Sequence, residues 1–479
     1  MALRFFNTFT GICEEFIPND EKKEKIGDYP PVTIYSCGPT VYSFAHIGNF
    51  RTFIFNDLLR RYLKFRGYKV NHAMNITDVD DKTITGAEKE GISLSEYTQR
   101  YIDFFFEDLK TLNIEMVEHL PKATESIDAM VEIIDHLYKK GIVYEKDGSH
   151  YFSISKFEDY GKLSKLDKRE IKSGLRYDTD EYEKDDVRDF ALWKATKENK
   201  NNWETPWGKG RPGWHIECSA MVRKIFNTTI DIHTGGVDLV FPHHENEIAQ
   251  SEAAYDEPFV RYWLHVEHLL VEGLKMSKSK GNFYTLRDLL EKGYSPRSIR
   301  YLLFAVHYKK QLNFTLNGLV QAENALERID NLIIRLKEIN NDGDANVEVR
   351  SSNDRCLSFF IKNMDDDFNI SGGIGVVFEF VHDINSRIDR GELSKLDRDL
   401  TFDTLKKIDL VLGFIFWDSS TGKAKEGIDV ENIERLIEER LIAKRENNYK
   451  KADEIRESLL NLGIILEDTK EGTRWKNGR

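Results

Sequence analysis

The sequence predicts an α/β protein: a Rossmann-like parallel sheet carrying an insertion, then an α-helical region, then a small C-terminal unit. Three observations support this. A β-branched run, an amphipathic helix pattern and a second strand pattern succeed one another between residues 32 and 81, and strand patterns return after residue 228. Beyond residue 315 strand signals fade and helical periodicity takes over. At 479 residues the chain exceeds what one hydrophobic core usually supports, so roughly two to four domains are expected.

"VTIYS" (32–36) reads as a buried strand, and "FRTFIFNDLLRRYLKFR" (50–66) places apolar residues at three- and four-residue spacing with basic residues between them. Gly67 ends that helix, and "YKVNHAMNITDVDD" (68–81) supplies a second strand running into an acidic loop. Strand, helix and strand make a βαβ unit. Parallel sheets bind ligands beyond the carboxyl ends of their strands, so Cys37 through Asn49 and Asn75 through Asp81 are the first places to look for chemistry. Helical patterns at 94–112 and 124–140 lead into turn-rich segments, and residues 120 to 200 are read as an insertion. The sheet resumes at "TTIDIHTGG" (228–236) and "YWLHVEHLLVEG" (262–273). These elements define a first domain, 1–315. Residues 316–338, 352–364, 370–390 and 401–415 carry helical periodicity, giving a second, α-helical domain over 316–418. "SSTGKAKEG" (419–427) reads as a linker, and residues 426–479 as a helix pair, a strand "IILED" and a basic tail "TRWKNGR".

Composition narrows the class. Hydrophobic residues make up 40% and charged residues 32%, and no apolar run approaches the roughly 20 residues of a membrane helix, so a protein without a membrane span is expected. The first 25 residues show no secretory pattern, which makes the cytoplasm the expected compartment. Four cysteines, Cys13, Cys37, Cys218 and Cys356, are too few for a disulfide framework and point to buried thiols or metal ligands. A net charge of −13 argues against a globally basic nucleic-acid surface, although a local basic patch would still suffice for RNA.

Two segments suggest a metal. "FPHHENEIAQ" (241–250) puts His243 and Glu247 four apart, on one face if helical, with His244 three from Glu247 as a substitute. Alone, such a pair also describes an ordinary surface contact. "GRPGWHIECSAM" (210–221) forces a turn and then a helix start, which would place Cys218 in a first turn where the helix dipole favours thiolate; a buried core thiol is the plainer reading. With Cys37 at the end of the first strand, two thiolates, an imidazole and a carboxylate could converge above the sheet, a set suited to zinc.

Two others suggest phosphate. "HIGN" (46–49) opens the first long helix, where Gly48 permits close backbone approach and His46 can donate to a phosphate. "EGLKMSKSKGNFYTL" (272–286) is a glycine-flanked loop with Lys275, Lys278 and Lys280, able to close cations over a pyrophosphate. No G-x-x-x-x-G-K-[ST] occurs, so an ATP site here is not a P-loop. "HTGGVDL" (233–239) adds a Gly235-Gly236 turn and Asp238, suited to a ribose or base.

With these residues in view, the chain resembles the class I aminoacyl-tRNA synthetases, and within them the cysteinyl-tRNA synthetases, over nearly its whole length. "HIGN" stands where the class has His-Ile-Gly-His, "KMSKS" (275–279) matches the second signature in full, and "GWHIECSAM" with "FPHHENEIAQ" resembles the cysteine-specific zinc segments. Asn49 replaces the second signature His. The resemblance implies a single zinc on Cys37, Cys218, His243 and Glu247. It also implies catalytic ATP contacts from His46, Asn49, Lys275 and Lys278, an amino-acid pocket lined by Trp214 and His233, and magnesium accompanying ATP. The implied reaction joins L-cysteine to ATP and transfers it to the terminal adenosine of tRNA(Cys), with a monomer expected and no editing domain.

Zinc has a physical rationale there, because a hydrophobic pocket separates near-isosteres such as cysteine and serine by only about 10 to 200-fold, whereas a metal reads the thiolate. Four protein ligands would close a tetrahedral site, so the substrate must enter as a fifth ligand or loosen one of the four, with Glu247 expected to yield. The helical region and C-terminal unit resemble the family's tRNA-stem and anticodon parts, with Trp475 between Arg474 and Lys476 able to stack a base. Two other readings share many of these motifs: a ligase passing activated cysteine to an amino-sugar amine, and a non-enzymatic RNA-binding protein with structural zinc. The C-terminal 150 or so residues count against the first, and retention of both phosphate loops against the second.

Overall fold

Four parallel strands carry the site in a computed structural model that describes residues 2–19, 31–165, 189–196, 201–417, 430–445, 448–461, 464–469 and 472–477. The chain divides into two units, Met1–Trp417 and Asp418–Arg479. In the first, a hairpin of Arg4–Asn7 (β1) and Ile12–Glu15 (β2) precedes Val32–Ser36 (β3), helix Ile47–Phe65 (α1) and Val70–Met74 (β4). β3 and β4 are parallel, with Val32 opposite Val70 and Ser36 opposite Met74, so the βαβ unit is present. Helices Asp81–Glu90 (α2), Leu94–Thr111 (α3) and Ile127–Lys139 (α4) follow.

An antiparallel sheet then interrupts the parallel one. Val143–Lys146 (β5), Ser149–Phe152 (β6), Phe190–Ala195 (β7), Trp203–Thr205 (β8) and Gly208–Pro212 (β9) pair in the order β5-β6-β7-β9-β8. Trp214–Phe226 (α5), Ile230–Gly236 (β10), Glu245–Tyr255 (α6) and Val260–Val266 (β11) complete the parallel sheet, whose order is β11-β10-β3-β4. Every residue of β3 is buried, as expected for a strand covered on both faces.

The run 262–273, where the sheet resumes, splits into two strands. β11 stays in the parallel sheet, while Leu269–Val271 (β12) joins a small second sheet with Leu274–Lys275 (β13) and Leu312–Phe314 (β14). The break falls after Val266, whose partner Gly236 is the last residue of β10, and the Glu267 and His268 carbonyls instead accept from the Arg51 guanidinium of α1 at 2.9 and 2.7 Å. Leu286–Glu291 (α7) and Pro296–Phe304 (α8) lie between β13 and β14.

Four helices follow: Leu316–Lys337 (α9), Val347–Met364 (α10), Ile370–Asp389 (α11) and Lys395–Leu412 (α12). Two start earlier than apolar spacing suggested, because caps rather than apolar residues set their ends. The Asn346 side chain accepts from the Glu348 N–H at 2.9 Å, and Ser394 with Asp397 forms a capping box. Gly413, at φ 62°, ends α12 at Leu412. Phe50, Phe53, Ile54, Leu58 and Tyr62 of α1 join one face of the sheet to these helices in a single apolar core. Tyr35, Ala73 and Trp263 face a second core containing residues of α4, α5 and α6.

In the second unit, Val430–Arg445 (α13), Tyr449–Asn461 (α14), Ile464–Thr469 (β15) and Gly472–Asn477 (β16) are described. The segment read as a basic tail is a strand, antiparallel to β15 with Trp475 opposite Leu466. Thr473, Trp475 and Asn477 alternate with Arg474 and Lys476 at the strand period, a pattern that cationic composition obscures. The Trp475 side chain and the linker 419–427 lie outside the described residues.

Candidate active site

Cys37 directly follows β3, and Gly38 lets the chain turn against the neighbouring loop. A Cβ on Gly38 would sit 1.8 Å from the Asn75 carbonyl oxygen, and its N–H donates to Asn75 Oδ1 at 2.8 Å. Gly213 is the N-cap of α5 for a similar reason, since a Cβ there would lie 1.9 Å from the Ala191 carbonyl. Trp214 is therefore the first helical residue and Cys218 the fifth, in the second turn rather than the first. His243 and His244 close the turn Val240–His244, and Glu247 lies in the first turn of α6. The donor atoms of Cys37, Cys218, His243 and Glu247, spread over 210 positions of sequence, lie within 4.8 Å of one another.

Glu247 is wholly buried, His243 and Cys218 are each 2% exposed, and Cys37 is 9% exposed. Burial alone would raise the Glu247 carboxyl, but His233 and His243 outweigh it and hold the group down to about 2. Burial likewise disfavours a charged His243, yet Glu247 and Cys218 hold it up to about 10. His233 Nε2 lies 3.0 Å from Glu247 Oε2, and His243 Nε2 pairs with Oε1 at 2.9 Å. The adjacent Cys37 thiol and burial push Cys218 well above its ordinary value, and burial pushes Cys37 up. The helix dipole expected to favour a thiolate at Cys218 acts weakly there, because that residue lies inside the helix rather than in its first turn.

Histidines surround the cluster. His244 Nε2 lies 3.3 Å from Cys37 Sγ and its Nδ1 2.8 Å from His265 Nε2, and His265 Nδ1 reaches the Thr8 hydroxyl at 2.8 Å. A second set, Cys37, His233, His244 and Glu247, also falls within 4.8 Å, so His233 and His244 overlap the first. His215 Nδ1 lies 2.9 Å from His243 Nδ1. His215 and His265 escaped the sequence reading. Five of the chain's 13 histidines fall between residues 215 and 265, a density that would have flagged them. The Trp214 ring stacks on His243 at 4.2 Å while remaining 39% exposed, and His233 stacks on Trp263 at 4.6 Å.

On the other side of the strand ends, His46 caps α1. The Asn49 N–H donates to His46 Nδ1 at 3.2 Å and the His46 N–H to Asn49 Oδ1 at 3.1 Å. Burial pushes His46 below its ordinary value, and Lys278 adds to this while Asp238 opposes it. The ring is therefore neutral at pH 7, and because Nδ1 accepts, its proton sits on Nε2. A Cβ on Gly48 would crowd that ring at 3.0 Å. The Ile47 N–H donates to the Tyr284 carbonyl at 3.0 Å, tying the far end of the lysine loop to the helix start.

Lys275 ends β13 and Lys278 opens the turn Lys278–Lys280, all three loop lysines being exposed. Phe283 joins the two motifs: Lys278 Nζ lies 5.1 Å from its ring centre and His46 packs edge-on at 5.5 Å. Asn282 pins the loop, accepting from the Ser277 N–H at 2.8 Å and donating to the carbonyls of Val271 and Lys275 at 3.3 Å each. Gly235 makes room for His244, since a Cβ there would lie 2.6 Å from that ring, and a Cβ on Gly236 would lie 2.4 Å from Asp238 Oδ1. Asp238 is exposed beyond β10 and within electrostatic reach of both His46 and Cys37.

Three known family models match the chain. Residues 24–324 match the model of the tRNA synthetases class I (C) catalytic domain, 359–416 the DALR domain, and 430–475 the cysteinyl-tRNA ligase anticodon binding domain. A cysteine–tRNA ligase of Leptospira interrogans is 50% identical over 481 residues, covering 99% of each chain. One from Brachyspira hyodysenteriae is 49% identical, covering 98% of each. Among solved structures, Mycobacterium tuberculosis methionyl-tRNA synthetase with methionyl-adenylate shares the fold, at 16% identity and a TM-score of 0.62, covering 82% of this chain and 92% of that one. The chain belongs to the cysteinyl-tRNA ligase family of class I aminoacyl-tRNA synthetases.

Proposed function

We propose that the chain joins L-cysteine to ATP as cysteinyl-AMP with release of pyrophosphate, then passes the cysteinyl group to a hydroxyl of the 3′-terminal adenosine of tRNA(Cys) with release of AMP, with one zinc ion in the buried pocket. The observation that carries this reading is the convergence of a two-thiol, imidazole and carboxylate cluster beyond β3, with Asp238 in electrostatic reach of both Cys37 and His46 and the lysine loop tied to the His46 end of α1 through Tyr284. The donor set fits zinc: neither thiol is in a disulfide, and the four donor atoms, two sulfurs, an imidazole nitrogen and a carboxylate oxygen, converge in a buried pocket. Cys37, Cys218, His243 and Glu247 would hold the ion, with His233 and His244 as hydrogen-bonding neighbours. When bound, zinc supplies a soft Lewis acid that takes a thiolate in preference to a hydroxyl.

The chain's own residues do the rest. Trp214 and His233 line the amino-acid pocket. The cysteine carboxylate attacks the α-phosphorus of ATP while the bond to pyrophosphate breaks, and His46 donates its Nε2 proton as a hydrogen bond to the phosphates. Asn49 uses its amide oxygen in the helix cap, which leaves its NH₂ group to donate where the class signature has a second His. Gly48 admits the phosphates closely, Lys275 and Lys278 neutralise the leaving pyrophosphate together with magnesium, and Gly235, Gly236 and Asp238 face the nucleoside. Glu247, gripped by two histidines, is the ligand assigned to yield when cysteine arrives.

We assign residues 1–315 to catalysis, 316–418 to the tRNA stem and 426–479, with Trp475, to the anticodon, supported by the domain matches. The chain is taken to work as a cytoplasmic monomer; among the described residues no helix is long and apolar enough to cross a membrane. Cysteine-dependent ATP–pyrophosphate exchange, followed by acylation of tRNA(Cys) transcripts, tests the reading, with about one zinc per chain expected by elemental analysis. Exchange without charging favours transfer to an amino-sugar amine, and neither activity favours a binding protein.

A further inference from the structure

Arg51 takes no part in the chemistry above, yet its surroundings are unusual. It lies on α1 five positions after His46, is 3% exposed, and among the described residues has no carboxylate within ion-pair distance. Its guanidinium donates to backbone carbonyls: Nη1 to Glu267 and His268 at 2.9 and 2.7 Å, Nη2 to His307 at 3.5 Å and to Lys310. These acceptors belong to two separate segments. Glu267 and His268 immediately precede β12, and Lys310 stands two residues before β14. β12 pairs with β14 on one side and on the other with β13, which ends in Lys275. A single side chain of the helix that His46 caps thus grips both strands where they enter the sheet from which the lysine loop projects.

A buried cation with no carboxylate in direct contact, and only Glu267 acting on it from farther away, is a costly way to fill space. Burial pushes the Arg51 guanidinium down to about 10, so it remains charged at neutral pH, and its neighbours Ile54, Phe55, Val266 and Phe304 are apolar. An aliphatic residue would serve packing at lower cost. The planar fork, with donors pointing to two strands at once, is what a lysine ammonium or an alkyl chain does not reproduce.

We propose that Arg51 is a positioning residue for the ATP step, holding the base of the lysine loop in fixed register with the His46 end of α1. The inference rests on the reading of Lys275 and Lys278 as phosphate-binding groups. Arg51→Lys is the test variant, made in the full chain alone and together with Lys278→Ala, with cysteine-dependent ATP–pyrophosphate exchange and thermal unfolding as readouts. Arg51→Lys is expected to lower kcat at least about thirtyfold, because small misplacements of transition-state contacts are costly, while the KM for cysteine changes less than about twofold. In the Lys278→Ala background the same change should cost less than about threefold, since the contact it positions is already gone. Amide exchange over 269–284 should quicken while that of α1 does not.

A wild-type kcat in Arg51→Lys, or an equal loss in both backgrounds, overturns the proposal. If Arg51→Lys does not fold, Arg51→Gln, which buries no charge, is measured by the same criteria. Absence of exchange in the wild type would instead overturn the function proposed above, so the two failures are distinguishable.

Discussion

The metal-type pocket gathers at the carboxyl end of β3 and the lysine loop follows β13 of the second sheet, and one is buried and internally bonded while the other is open to solvent. Cys218, His243 and Glu247 are at most 2% exposed and are enclosed by histidines and tryptophans, whereas Lys275, Lys278 and Lys280 project from a short turn. The pocket lies between strand ends and the starts of helices that cannot shift without disturbing the core. The loop is held through its base, by Asn282 and by Arg51, and at its far end by the Ile47–Tyr284 contact. The difference suits two tasks. Telling a thiol from a hydroxyl needs a preformed, desolvated set of donors, while neutralising a leaving pyrophosphate needs cations that can reach and withdraw.

If that contrast is right, the largest effect belongs to the pocket. Cys218→Ala should abolish metal retention and lower cysteine-dependent exchange by about a thousandfold or more, measured by elemental analysis and isotope exchange on the same preparation. Full activity with no bound metal would end the zinc reading. Lys278→Ala should lower exchange by about a hundredfold, in the range for removing one transition-state donor. Metal content should be unchanged, and because the side chain is exposed the melting temperature should move by no more than about 1 °C. A large loss of stability would place the loop among the packed elements and break the comparison.

Trp214 sharpens it from the middle ground. Its ring stacks on His243 but remains partly exposed, so Trp214→Ala should raise the KM for cysteine about fivefold to tenfold, with a much smaller change in the KM for ATP. Salt gives the smallest effect. Raising ionic strength from about 50 to about 200 mM should weaken ATP binding about threefold by screening the exposed lysines, and leave cysteine affinity nearly constant. Equal sensitivity of both substrates would mean that the pocket is wetter than its burial indicates.

Local chemistry was enough to read much of this from the chain alone. "VTIYS", the amphipathic run after "HIGN" and the strand after Gly67 are each recognisable from a few neighbouring residues, so the βαβ unit and both phosphate motifs were visible. The helix starts at Val347 and Lys395 are set by the caps Asn346 and Ser394, a matter of one side chain and one N–H that apolar spacing does not reveal. Trp475 falls on a strand that its cationic neighbours disguised as a tail.

The sequence by itself determined the element order, the signature loops and the residue types available as metal donors, because these depend on contacts between near neighbours in the chain. The tertiary structure alone decided that donors 210 positions apart meet within 4.8 Å, that His215 and His265 join them, and that the run 262–273 splits between two sheets with Arg51 bonded at the break. Convergence of that kind follows from strand order and from close approaches at Gly38 and Gly213, which involve partners far away in sequence and leave no periodic trace in it.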